Sequence, residues 1–89
     1  MNYDPNWDLI VDRAVEKQLK QIPKKTAERL LLGISKLSIN PYAGNIEKMR
    51  GEENVWRRRI GNYRIFYEIL TKEKFIYVFK VKRRTSSTY

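Results

Sequence analysis

The sequence predicts an α+β domain in which a short N-terminal strand and an αα-hairpin pack on a twisted antiparallel β-sheet. Three observations point there. Apolar residues recur at helical spacing between positions 13 and 37, and they alternate with polar residues from position 55 onwards. Turn residues then punctuate the second half at Gly61-Asn62 and Lys72-Glu73-Lys74. With 89 residues, the chain is long enough for a single domain, 1–89, with a single core.

The elements follow in order. "WDLIV" (Trp7–Val11) is an apolar run of strand length. Asp12 stands at a helix N-cap position ahead of "RAVEKQLKQI", where Val15, Leu19 and Ile22 make one apolar face. Pro23 breaks that helix and opens a second, with a stripe of Ala27, Leu30, Leu31, Ile34 and Leu37 that Asn40-Pro41 ends. Two amphipathic helices so closely joined form an αα-hairpin. "YAGNIEKMRGEEN" reads as polar connection. Three strands of a meander follow: "VWRRRI", "YRIFYEIL" and "FIYVFKVKRR". On the first, Trp56 and Ile60 share one face and Arg57 and Arg59 the other. On the second, Ile65, Tyr67 and Ile69 oppose Arg64, Phe66 and Glu68. Trp56, Tyr67 and Phe79 read as core. Arg58 falls on the Trp56 face, so either a bulge re-aims it or its stem packs inward while the guanidinium escapes to water.

Composition excludes several chemistries. The chain contains neither histidine nor cysteine, which removes Cys-His dyads, Ser-His-Asp triads, His-ligated zinc and disulfides. Acid–base work would fall to Asp, Glu, Lys, Arg or Tyr. No apolar run approaches the ~18 residues of a membrane span, and the N-terminus lacks the pattern of a signal peptide. A cytoplasmic location without membrane contact is expected. The net charge of +9 favours an anionic partner. That charge is unevenly placed: four arginines fall within "VWRRRIGNYRIFYEI" (Val55–Ile69), on strands that would otherwise prefer β-branched and aromatic residues.

The chain resembles the RelE/ParE superfamily of toxins from type II toxin–antitoxin systems. The likeness rests on Leu37 and Pro41, on "K.RG" (Lys48, Arg50, Gly51), on "WRxR.G.YRI.YEI" from Trp56 to Ile69, and on the basic end "KRRTSSTY". It implies a RelE-like fold. RelE-like members cut mRNA in the ribosomal A site, whereas ParE-like members poison DNA gyrase. The RelE-like pattern of basic residues and a C-terminal tyrosine is met by Arg57, Arg59, Arg64, Arg83 and Tyr89, which are therefore expected to be catalytic. Of the adjacent pair Arg83 and Arg84, only one can face the site in an extended strand, and distance from Tyr89 selects Arg83. Arg58, Lys80, Lys82 and Arg84 are assigned to RNA binding. Two departures stand out: Arg57 and Arg59 replace lysines of the best-known pattern, and Arg58 replaces an apolar residue.

The implied chemistry is attack of a ribose 2′-hydroxyl on the adjacent phosphorus. Arginine suits the stabilisation of the phosphorane, because its planar fork matches phosphate oxygens and stays charged. It is a poor base, so the general base is left open between Tyr89 and a carboxylate such as Glu68, the latter reading more simply as a cross-strand charge partner of Arg64 or Arg59. The resemblance implies no metal and no organic cofactor. It implies a cognate antitoxin protein, forming a toxin–antitoxin hetero-oligomer, and the ribosome with its mRNA. The alternatives are a gyrase poison and a catalytically inactive RNA-binding module.

Overall fold

The computed structural model of the chain describes residues 7–84. Seven elements follow one another: β1 (Asp8–Val11), α1 (Arg13–Lys20), α2 (Lys24–Leu37), β2 (Ile46–Lys48), β3 (Val55–Ile60), β4 (Tyr63–Leu70) and β5 (Phe75–Arg83). The strands form one sheet in the order β1-β5-β4-β3-β2. The α+β architecture is as expected, with two refinements. β1 runs parallel to β5, while the other three pairs are antiparallel, so the sheet is mixed. Three residues of the expected connection, Ile46–Lys48, pair with β3 as an edge strand. Such a segment is too short for alternation to reveal it.

Asp12 joins β1 to α1 and to the sheet. One carboxylate oxygen accepts from the Ala14 backbone N–H at 2.8 Å, capping α1. The other accepts from the Tyr77 hydroxyl on β5. This pairing holds the Asp12 carboxyl below its usual range and pushes the Tyr77 hydroxyl above its own. Pro23 occupies the N-cap of α2, consistent with its role as a helix opener.

The helices lie on one sheet face. Val15 and Leu19 of α1 and Leu30, Ile34 and Leu37 of α2 pack on Ile65, Tyr67, Ile69, Ile76, Val78 and Val81. Each aliphatic side chain buried this way contributes about 1.5–3 kcal/mol. The α2 stripe differs from the expected one at two places. Leu31 is 49% exposed, and Gly33 takes a place in the buried row. A Cβ at Gly33 would lie 2.2 Å from Ile60 Cδ1, so the missing side chain lets α2 approach β3 closely. That contact offsets the ~1 kcal/mol that glycine costs inside a helix.

The loop after α2 is fastened to the same face. The fully buried Tyr67 donates its hydroxyl to the Pro41 carbonyl at 2.9 Å. Tyr42 meets both Trp7 and Trp56 edge-on, with ring centroids 6.3 and 5.7 Å away. Among the described residues, the opposite sheet face carries no helix.

Candidate nucleic-acid interface

The uncovered face is built by the β3–β4–β5 register. Gly61, with φ of 58°, and Asn62 turn β3 into β4, so Arg59 lies directly across from Arg64 and Arg57 across from Phe66. β5 continues both rows, with Lys82 beside Arg64 and Lys80 beside Phe66. One row is therefore Arg59-Arg64-Lys82 and the next Arg57-Phe66-Lys80. Lys80 Nζ sits 5.3 Å from the centre of the Phe66 ring.

Arg64 is the centre of this surface. Its Nε is shut away from solvent and finds no hydrogen-bond acceptor among the described residues. Burial lowers the affinity of its guanidinium for the proton, and the charges of Arg57, Arg84 and Arg59 lower it further, while Glu47 acts against them. An arginine starts so high that it remains charged. A buried N–H without a partner is costly, and here it is surrounded by like charge. The arrangement offers an oriented donor and several cations to an anionic oxygen, as a phosphate would present.

Not every residue assigned from the sequence shares this face. Arg57, Arg59, Arg64, Lys80 and Lys82 do. Arg83 does not: it pairs in register with Tyr63 and lines a groove on the helix side with Thr26 and Arg29. Its neighbour Arg84 is the one whose charge reaches Arg64, and its backbone N–H donates to the Asn62 carbonyl at 2.5 Å. Arg83, selected from the sequence, thus lies on the helix side, and Arg84 lies toward Arg64. Arg58 also lies on the helix side. β3 pairs with β4 without a bulge, and the Arg58 guanidinium packs against the loop, 3.0 Å from where a Cβ on Gly44 would stand. The bulge alternative is thereby excluded, and the guanidinium rests on the Gly44 loop, on the sheet face opposite Arg57, Arg59 and Arg64. Tyr89 falls outside the described residues.

The carboxylates are also arranged differently from expectation. Arg57 makes an ion pair with Glu47 of the edge strand β2, a partner hidden from the sequence because β2 itself was. Glu68 makes no ion pair or side-chain hydrogen bond among the described residues. It faces a groove of about 640 Å³ that is also lined by Arg50, Val55, Tyr77 and Phe79. Phe79 was expected in the core. The β4–β5 register shifts so that Phe66 faces Lys80 and Tyr67 faces Val78, which leaves Phe79 in a bulge, stacked on Tyr77 at 6.1 Å. Arg50, noted in the sequence only as part of "K.RG", is brought to the same groove. No group of three carboxylates among the described residues converges to hold a metal ion.

Comparisons with known proteins agree with this architecture. Residues 9–87 match the family model described as the ParE toxin of type II toxin–antitoxin systems. A chain from Methanocaldococcus jannaschii that carries the name toxin RelE1 is 30% identical over 81 residues, covering 88% of this chain and 90% of its own. Among solved structures, the archaeal RelE–RelB complex from Pyrococcus horikoshii superposes with a TM-score of 0.80 at 26% identity. That match covers 92% of this chain and 99% of the other. The isolated E. coli RelE toxin gives 0.77 at 18% identity, over 91% and 87% of the two chains, a likeness of fold.

Proposed function

Because the chain belongs to the RelE/ParE family of toxins from type II toxin–antitoxin systems, we propose that it is a ribosome-dependent mRNA endoribonuclease of the RelE kind. The observation that carries this reading is the Arg59-Arg64-Lys82 row on the uncovered face, with a buried, unpartnered Arg64 Nε at its centre and Arg84 beside it.

In this mechanism the ribose 2′-oxygen attacks the neighbouring phosphorus as its proton is removed. The P–O5′ bond breaks, the leaving oxygen takes a proton, and a 2′,3′-cyclic phosphate remains. Arg64 donates to a non-bridging oxygen whose charge grows in the transition state, and Arg59 and Arg84 stabilise the same charge. The lowering of the Arg64 proton affinity by burial and by its cationic neighbours is offset when an anion arrives. Arg57 is partly neutralised by Glu47 and serves mainly to bind the strand. The general base stays open between Tyr89 and a carboxylate such as Glu68, and the ribosome positions the mRNA.

An antitoxin of acidic or amphipathic character is the proposed partner, within a hetero-oligomer. The P. horikoshii relative was solved with RelB, and here the exposed Leu31 and Leu32 of α2 suit an apolar segment of such a partner. No described helix is long and apolar enough to cross a membrane, and action in the cytoplasm follows from the proposed target.

A second reading, poisoning of DNA gyrase, is favoured by the description of the matching family model as a ParE toxin. Pulse labelling after expression without antitoxin separates the two. The nuclease reading predicts that methionine incorporation falls before thymidine incorporation, and the reverse order supports gyrase.

A further inference from the structure

We propose that the groove beside the arginine row is a nucleobase subsite in which the Glu68 carboxylate recognises guanine, a reading that rests on RNA being the ligand of this face. The groove opens on the same sheet face as Arg64, and Glu68 lies four residues further along β4. At the rise of an extended strand that is a separation of about 13 Å. A phosphate held at Arg64 and a base of the same strand held at Glu68 can therefore be occupied together.

Three features of the groove fit a base. Tyr77 and Phe79 stack on each other with 30° between their planes and both line the groove, and bases of single-stranded RNA stack on such aromatic side chains. The Tyr77 ring is held in place by its hydroxyl bond to Asp12. Arg50 and Lys80 line the same groove and supply cations for the flanking phosphates. Glu68 is half-buried on a rigid strand, and among the described residues no cation comes within ion-pair distance of it.

The chemistry of a carboxylate selects the base. Two acceptor oxygens side by side match two donors side by side, and only guanine offers that pair, N1–H and the N2 amino group. Adenine and cytosine each place a ring acceptor next to their amino group, and uracil flanks its single N3–H with carbonyls. Each of these sets a lone pair against the carboxylate. A well-formed bidentate contact discriminates by about ten- to a hundredfold. Glu52 lines the groove too, but it stands on the exposed loop between β2 and β3, and so serves as a control.

The test uses the full chain and fluorescence anisotropy with short oligouridines carrying a single central guanine, adenine or cytosine. The guanine oligonucleotide should bind about tenfold more tightly than the others. Glu68→Gln, which presents one donor and one acceptor, should lose that preference and gain one for adenine. Glu68→Ala should show none, and Glu52→Gln should behave as wild type. Thermal melts establish that each variant is folded. Equal binding of all oligonucleotides by the wild type, or a guanine preference that survives Glu68→Gln, overturns the subsite and leaves the nuclease reading standing. Absence of any RNA binding overturns the subsite as well. The nuclease reading is then decided separately, by whether cuts appear on translating ribosomes.

Discussion

Arg59 and Arg64 stand directly opposite one another across the β3–β4 hairpin, on the sheet face that no described helix covers. Like charges in that position destabilise a sheet by about 0.2–1 kcal/mol, and the Arg64 Nε adds an unsatisfied buried donor. The site therefore works against the fold. Arg64→Met should raise the urea midpoint, by an amount equivalent to about 1 kcal/mol, while removing toxicity. A less stable variant would show that Arg64 has a structural partner after all.

Arg83 and Arg84 provide a second test, because Arg83 lines the helix-side groove while the charge of Arg84 acts on Arg64. On saturated ribosomes, Arg84→Ala should lower the cleavage rate at least tenfold. Arg83→Ala should stay within about threefold of wild type. The expected difference follows from the cost of removing one charge that acts on the developing phosphorane. The opposite order would restore the assignment made from sequence.

Glu47 holds Arg57 in an ion pair whose side chains are 65% and 20% exposed, respectively. Such pairs contribute about 0–1 kcal/mol, so Glu47→Gln should leave the fold intact. It should also free one more cation for RNA. The slope of log affinity against log salt for single-stranded RNA should then steepen by about 0.7. An unchanged slope would mean that the ion pair with Glu47 takes nothing from the contribution of Arg57 to strand binding.

Tyr67 connects the sheet to the loop after α2, and its substitution separates stability from function. Tyr67→Phe strands the Pro41 carbonyl and should cost about 1–3 kcal/mol, read by denaturant unfolding, without altering cleavage at low temperature. Burial pushes the Tyr67 hydroxyl up to about 12. Its folded value lies above its unfolded value near 10, so the unfolded chain ionises first. The stability it provides is complete below pH 10 and declines as pH rises towards 12, by about 1.4 kcal/mol per pH unit. Tyr67→Phe should flatten that decline. Tyr77 keeps part of it, since its hydroxyl is raised in the same direction.

The helices, the Asp12 cap, the Gly61-Asn62 turn and the three long strands were legible because each carries a local signal of period or turn chemistry. What was not legible depends on pairing. β2 has only three residues, and Glu47 meets Arg57 only because that strand joins the edge. The bulge at Phe79 turns it outward, and no local pattern announces a bulge. Arg83 ends β5 and Arg84 follows it, and only the fold shows that Arg84, not Arg83, lies toward Arg64. Arg58 needed the loop at Gly44 to be seen in place. Leu31 keeps the helical spacing of the α2 stripe yet is half exposed, because Gly33 takes the place in the buried row, against Ile60.

The most direct test of the central claim is primer-extension mapping of mRNA ends in an in vitro translation reaction, with the wild type, Arg64→Ala and Arg64→Lys compared at saturating ribosomes. The wild type should cut mRNA on translating ribosomes and leave naked RNA largely intact. Arg64→Ala should cut at least about a hundredfold more slowly, as expected for loss of one oriented donor. Arg64→Lys, which keeps the charge and loses the fork, should remain well below wild type. Normal cutting by Arg64→Ala would contradict the site, and intact mRNA with wild-type protein alongside stabilised gyrase–DNA cleavage complexes would contradict the function.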